Sequence, residues 1–152
     1  MKNLYTCLLY LVLFYTAPGL HAQPWPVREP DYNKPLLFQQ LPQRIPVNTA
    51  SLDDLLTNER GNEISLQVSP GVVWSGTVSS TGKEDPRVQS IMIKTTIPGN
   101  AGLFISRIRR PDGTQYYKGR IIGKNYGDAY EIIYEKGVYY FEKKGFYDLL
   151  NE

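Results

Sequence analysis

The stretch Leu103–Ile122, LFISRIRRPDGTQYYKGRII, decides the fold, and it predicts two β-strands joined by a tight turn. Pro111 fixes the first backbone angle of the turn, and Asp112 followed by Gly113 supplies the left-handed conformation that such turns require. Basic and aromatic side chains are concentrated on both flanks of the turn. We therefore expect a β-hairpin here, and we expect one face of it to take part in binding.

The predicted binding residues come from this hairpin and from the loop that follows it. Tyrosine offers a large contact area at low entropic cost, and arginine stacks on rings or pairs bidentately with anions. The candidates are Arg107, Arg109, Tyr117, Arg120 and Tyr126. Strand alternation places Arg107 and Arg109 on one face of the hairpin and Arg110 on the other. Only some of the basic and aromatic side chains of the hairpin can therefore contact one ligand. The structural alternative stays open, because strands favour tyrosine with the ring packed and the hydroxyl at the surface.

The rest of the chain from residue 63 onward predicts a mainly β fold of about seven strands. Alternation of apolar and polar residues begins at Ile64, and short turn signals separate the successive strands. Consecutive hairpins without helical crossovers indicate an antiparallel meander rolled into a small barrel or folded as a sandwich. Three glycines inside the strand patterns indicate bends or bulges, which favour the barrel: Gly76, Gly102 and Gly119.

One short N-terminal helix is predicted before the strands. Ser51 followed by Asp54 fits a capping box with an acid in the last position. Leu52, Leu55 and Leu56 then form a single apolar stripe at helical spacing. This helix either closes one end of the β-structure or binds a partner.

Residues 1–22 have the organisation of a signal peptide. A lone positive charge at Lys2 precedes the apolar run Leu4–Phe14, and the segment ends in the small residue Ala22. The run is shorter than the roughly 20 residues that a membrane-spanning helix needs, so we predict cleavage and no transmembrane segment after it. The predicted product is exported to the periplasm or the extracellular space.

The remaining chain divides into two parts. Residues 23–48 are rich in proline, which predicts an extended segment, and residues 49–152 are predicted to form a single β-domain with a short leading helix. Leu37 and Phe38 belong to the first apolar cluster that can dock on a core.

The single cysteine and the single histidine of the chain, Cys7 and His21, both fall in the predicted signal peptide. The mature chain is therefore expected to be free of both residue types. That excludes disulfides, thiol chemistry, nucleophiles activated by histidine, and the usual zinc or copper sites. We accordingly predict no cofactor and no metal.

Charge gives no indication of a nucleic-acid partner. Loss of Lys2, the one charged residue of the predicted signal peptide, lowers the formal net charge from +2 to +1. A nearly balanced chain lacks the basic field that binding to nucleic acid requires.

Carboxylates are the groups that are left for acid–base chemistry. The candidates are Asp112, Asp128, Glu131 and Glu142. Asp112 is explained by its turn and Asp128 by capping at a strand entrance. Glu131 and Glu142 could lie across one hairpin from each other, but solvent-facing pairs with Lys136 or Lys143 account for them as well. The sequence therefore assigns no catalytic residue, although a histidine-free carboxylate hydrolase stays open as an alternative.

Several short motifs occur together and resemble those of small exported proteins of Bacteroidetes-type bacteria. They are Leu-Phe-x-x-Leu-Pro at Leu37–Pro42, Arg-Ile-x-x-x-Asp-Gly-Thr at Arg107–Thr114, Tyr-x-Gly-Arg-Ile at Tyr117–Ile121, Gly-Asp-Ala-Tyr-Glu at Gly127–Glu131 and Phe-Tyr-Asp-Leu-x-Asn-Glu at Phe146–Glu152. This resemblance implies export and no particular activity.

A looser similarity is to the N-terminal β-domain of secreted metalloprotease precursors. It rests on Ser-Gly-x-Val at Ser75–Val78, the Asp-Gly hairpin at Arg110–Gly113 and the pair Tyr139–Tyr140. The expected mature chain departs from that pattern in having no cysteine for a zinc switch and no protease domain. The similarity implies a stand-alone relative that binds a protease in trans.

The first expectation for function is an exported, non-catalytic β-module that binds a protein or a glycan at the cell envelope. The alternatives are a propeptide-like inhibitor or chaperone of an exported protease, and the carboxylate hydrolase.

Overall fold

Eight strands and one short α-helix make up residues 31–150, the part of the chain that the computed structural model describes. In chain order they are β1 (Arg44–Val47), α1 (Thr49–Thr57), β2 (Glu63–Ser69), β3 (Val72–Gly82), β4 (Val88–Ile97), β5 (Gly102–Arg109), β6 (Gln115–Ile122), β7 (Asp128–Glu135) and β8 (Val138–Gly145), followed by a 3-10 helix at Asp148–Leu150. The hairpin predicted from the sequence is β5 and β6. Its turn closes where the Arg110 N–H donates to the Thr114 carbonyl at 2.8 Å.

All eight strands belong to one antiparallel sheet in the order β1-β8-β7-β6-β5-β4-β3-β2. The mainly β class, the meander and the short leading helix are confirmed. The sheet has eight strands where about seven were predicted, because β1 pairs with β8 from inside the proline-rich segment. The predicted barrel or sandwich is not what forms: the single sheet curls into a half-barrel whose edge strands, β1 and β2, are not hydrogen-bonded to each other.

Aromatic side chains fill the concave face of the half-barrel. Trp74 on β3 contacts Phe141 on β8 with ring centroids 4.9 Å apart, and Tyr130 on β7 at 5.8 Å. Phe38, from the chain that precedes β1, packs edge-on against Tyr130 at 5.0 Å. All four side chains are almost completely buried. They join strands that lie far apart in the sheet, and this contact keeps the sheet curled.

Helix α1 lies across one end of this core. Asn48 caps it, since its side-chain oxygen accepts a hydrogen bond from the Ala50 N–H at 3.0 Å. The predicted helix start at Ser51 was therefore wrong, because the capping side chain is that of Asn48, three residues earlier. The predicted apolar stripe is confirmed, since Leu52, Leu55 and Leu56 are all buried.

The three strand glycines differ in what they do. The pairing of β3 with β4 shifts next to Gly76, where an added Cβ would lie 2.3 Å from the Lys94 carbonyl oxygen. Gly119 lies in regular register with β5, yet its Cβ would meet the Phe104 carbonyl oxygen at 2.5 Å. Gly102 lies in regular register with β4, and an added Cβ there would make only an ordinary van der Waals contact. Of the predicted bends or bulges, a bulge is thus confirmed at Gly76, while the strand pairing at Gly102 and Gly119 shows none.

The predicted signal peptide, residues 1–22, and the first residues of the proline-rich segment lie outside the described residues. In residues 31–150, no helix has the length and apolar character needed to cross a membrane.

Candidate functional site

A groove opens in the wall of the half-barrel where β6 and β7 separate. The two strands pair at Arg120–Ile122 with Ala129–Glu131, and the ladder between them does not continue further toward the hairpin tips. β6 remains paired with β5 over its whole length, and β7 with β8. The space between the two hairpins, which we call the hairpin groove, has a volume of about 860 Å³. That is within the range of functional ligand sites.

The outer rim of the hairpin groove is positively charged. Lys118 is exposed and has no ion-pair partner among the described residues. The Arg110 guanidinium lies over the Tyr116 ring at 4.8 Å. Asp112 is the one carboxylate that lines the groove in the described part of the chain, and it accepts hydrogen bonds from the Thr114 N–H and hydroxyl at 2.8 and 2.6 Å. The Asp112 carboxylate is therefore already hydrogen-bonded within its own turn.

The floor of the groove consists of tyrosines. The Tyr117 and Tyr139 rings meet edge-on at 5.3 Å, and the Tyr117 N–H donates to the Tyr139 hydroxyl at 3.3 Å. Tyr134 packs beside Tyr139 at 4.7 Å and is 63% exposed. The floor thus combines two buried rings with one ring that faces solvent.

A polar cluster behind the floor ties helix α1 to the sheet. Asp53 on the helix accepts a hydrogen bond from the Tyr117 hydroxyl at 2.6 Å. It also forms an ion pair with the Arg107 guanidinium, at 2.8 Å. Gln89 accepts from Arg107 at 2.6 Å and donates to the Leu56 carbonyl at 2.6 Å. Burial, together with the hydrogen bond to Asp53, raises the pKa of Tyr117 to about 12.

Replacing Tyr117 with phenylalanine is expected to lower the free energy of unfolding at pH 7 by about 1–2 kcal/mol, because the hydrogen bond to a carboxylate is lost. The pKa of this phenol is about 12 in the folded chain against an ordinary 10.0. Its contribution is therefore complete below pH 10 and is lost as the pH rises toward 12, at up to about 1.4 kcal/mol per pH unit. The difference between wild type and variant should shrink over that range.

Urea unfolding of both chains between pH 7 and 11.5 measures this difference. Tyr116→Phe is the matched control, since the Tyr116 hydroxyl has no hydrogen-bond partner within residues 31–150 and its loss should change little. A constant difference between wild type and Tyr117→Phe across the pH range would contradict the assignment of the raised pKa.

The structure brings together some of the predicted binding residues and separates others. Arg107 and Tyr117 meet at Asp53, and Arg109 follows Arg107 on the concave face. Arg120 lies on the convex face opposite Glu131, and Tyr126 lies in the β6–β7 connection at the far end of β6. A binding role for these residues stays a prediction. Arg107 and Tyr117 already have structural partners.

Several groove residues were missed by the sequence reasoning. Tyr134 and Tyr139 lie in the last third of the chain, where tyrosines are interleaved with arginine and lysine, and this was the available signal. Val47 and Asn48 line the groove from the other end of the chain, because Val47 pairs with Tyr139. No local pattern could indicate that contact.

Three of the four carboxylates considered for chemistry, Asp112, Asp128 and Glu142, have structural partners. Asp128 is buried and accepts from the Leu37 and Phe38 N–H groups at 2.7 and 2.9 Å. Glu131 and Glu142 lie opposite each other, as predicted, and Glu142 pairs with Arg44 at 2.6 Å. The Arg44 hydrogen bond lowers the pKa of Glu142. Among residues 31–150, no cluster of three or more metal-binding side chains occurs.

Comparisons with protein-family models, with curated proteins and with solved structures found no match to this chain. The resemblances drawn from its sequence motifs therefore stay predictions.

Proposed function

We propose that this chain is an exported, non-catalytic β-module that binds a protein or a glycan at the cell envelope through the hairpin groove. The observation that carries the proposal is the separation of β6 from β7, which leaves an opening of about 860 Å³ in an otherwise continuous sheet. A folded sheet gains stability from every pair of strands that stays together. An opening lined with tyrosines is therefore best explained by an occupant.

The composition of the groove supports recognition of an anionic partner. Two cations on its rim, Lys118 and Arg110, face outward, while the lining carboxylate Asp112 is engaged with Thr114. Tyr134 adds an exposed ring to this surface. Rigid aromatic side chains next to unpaired cations are typical of recognition surfaces.

The groove does not favour the hydrolase alternative. Glycoside hydrolysis uses two carboxylates on either side of the bond to be cleaved. The described lining of the groove offers Asp112 alone. A smaller cleft between α1 and β2 does include two acids, Asp54 and Glu63, both of them exposed. Inhibition of a protease is itself a form of protein binding, so that alternative stays compatible with the groove.

Quantitative capture on envelope fractions of the producing cell tests the proposal. The mature chain is expected to retain envelope components, and the double variant Lys118→Ala, Tyr134→Ala to retain about tenfold less, since two exposed contacts of the groove are removed. The matched control is Lys94→Ala, Tyr32→Ala, which removes an exposed lysine and an exposed tyrosine elsewhere. Equal retention by both double variants would contradict a role for the groove.

A further inference from the structure

Resting on this proposed function, we infer that the hairpin groove binds an extended acidic peptide, which adds as a strand between β6 and β7 with its acidic side chains on the convex face and its apolar side chains on the concave face.

The open edges of the two strands are the first support for this inference. Residues 115–119 of β6 and residues 132–135 of β7 have no ladder partner on the sides that face each other. Such edges present main-chain donors and acceptors at the repeat of a β-strand, and an added strand satisfies them. The Tyr117 N–H is held only by a tyrosine hydroxyl at 3.3 Å, near the long limit of a hydrogen bond. A peptide carbonyl would be a better acceptor.

Alternation along β6 determines which peptide side chains fit. The concave side of the groove presents Tyr117, Tyr139 and Ile132, all of which are buried. The convex side presents Lys118 and Tyr116, with Arg110 stacked on the latter. Side chains of an added strand alternate between these two sides and lie directly beside their neighbours on β6. The peptide is thus expected to alternate apolar and acidic residues.

Charge complementarity selects acidic residues for the convex side. Lys118 has no ion-pair partner in the described part of the chain, and the Arg110 guanidinium stacks on the Tyr116 ring and interacts with the charge of Asp112 without forming an ion pair with it. The acid on the β7 side of the opening, Glu135, is already paired with Arg44 at 2.6 Å. The positive charge of β6 is therefore available to a ligand.

The same features favour a peptide over a glycan. A sugar binds an aromatic side chain through an exposed ring face. Tyr117 and Tyr139 are only 7% and 9% exposed, and they meet each other edge-on. Of the three floor tyrosines, Tyr134 alone is largely exposed, and its ring packs beside Tyr139. Unpaired strand edges, by contrast, match the main chain of an extended peptide.

The test uses the ¹⁵N-labelled mature chain, titrated with the blocked heptapeptide Ser-Glu-Val-Glu-Val-Glu-Ser. Amide shifts are expected at residues 115–119 and 132–135. Lys118→Glu should weaken binding about tenfold, and a peptide with lysine in place of glutamate should bind that variant better than wild type. Lys94→Glu, on another part of the sheet, is the matched control and should leave the affinity unchanged.

N-methylated peptides test the strand pairing. In an extended peptide the valine N–H groups point to one side and the glutamate N–H groups to the other. A peptide inserted between β6 and β7 uses both sides, so methylating either set of N–H groups is expected to abolish binding. Retained binding by both methylated peptides, or amide shifts located elsewhere, would overturn the inference.

Polygalacturonate, an anionic glycan, is the second probe. If it shifts the groove amides and the peptide does not, the inference falls and the proposed binding function stands. The same holds if neither probe binds while envelope capture still depends on Lys118 and Tyr134. If envelope capture is also independent of Lys118 and Tyr134, both the peptide inference and the proposed binding function are contradicted.

Discussion

Replacing Trp74 with alanine is expected to lower the free energy of unfolding by about 3–5 kcal/mol, the largest effect of any single change that we predict. Trp74 is completely buried and has the largest side chain in the core. Its ring contacts Phe141 at 4.9 Å, Tyr130 at 5.8 Å and Phe38 at 6.0 Å. Truncation to alanine would leave a cavity. Aromatic side chains from three separate parts of the chain would line it.

The loss should be large because the sheet is open. A closed barrel is held by hydrogen bonds all the way around, whereas here β1 and β2 are edge strands without a ladder between them. The curl therefore depends on contacts across the concave face, and Trp74 joins β3 to β7 and β8. A loss of about 4 kcal/mol is a large fraction of the 5–15 kcal/mol that stabilises an ordinary domain.

Urea unfolding followed by circular dichroism measures the effect, with two variants as controls. Trp74→Phe should cost much less than the alanine change, because it keeps a ring and removes the indole N–H, a buried group without a hydrogen-bond partner in residues 31–150. Val73→Ala, at the exposed neighbour, should change stability by no more than about 0.5 kcal/mol. A similar small loss for Trp74→Ala would show that the core does not hold the curl.

Local sequence patterns predicted the parts of the fold that depend on neighbouring residues. The β5–β6 hairpin could be predicted because Pro111, Asp112 and Gly113 determine the turn by themselves. Gly113 does adopt a left-handed φ of 85°. Strands β2 to β8 likewise follow from alternation and turn signals. These are interactions within a few residues of each other, which a single sequence displays directly.

Strand β1 could not be predicted in this way. Four residues including Pro46 do not indicate a strand, since proline cannot donate to a ladder and is confined to sheet edges. The strand forms because Ile45 is buried opposite Phe141 of β8, almost 100 residues further along the chain. The half-barrel shape has the same origin, because pairing at the two edges depends on how far the whole sheet curls.

The candidate site was predicted only in part, for a similar reason. The sequence indicated a face of the β5–β6 hairpin, and the groove does border β6. The expectation that Arg107 and Tyr117 act in binding did not anticipate Asp53, a partner on α1 that satisfies both. The groove itself arises where β6 and β7 separate, and no residue pattern within either strand indicates where pairing stops.

Replacing Asp128 with alanine is expected to lower the free energy of unfolding by about 3 kcal/mol, because two hydrogen bonds to a carboxylate are lost and two N–H groups are left unpaired. Asp128 begins β7 and is 4% exposed. It accepts from the Leu37 and Phe38 N–H groups at 2.7 and 2.9 Å. The same segment is tied to β7 by the Gly127 N–H, which donates to the Pro35 carbonyl at 2.9 Å.

The local consequence distinguishes this prediction from a general loss of stability. Since Asp128 positions the backbone that carries Phe38 into the core, hydrogen exchange at the Leu37 and Phe38 amides should accelerate more than exchange in β4 and β5. Asp112→Ala is the matched control, because Asp112 also accepts two hydrogen bonds but lies exposed in a turn, and its loss should lower the free energy of unfolding much less. If Asp128→Ala left the two amides protected, the carboxylate would not be what holds the segment. Docking of this segment on the core would then depend on burial of Phe38 alone.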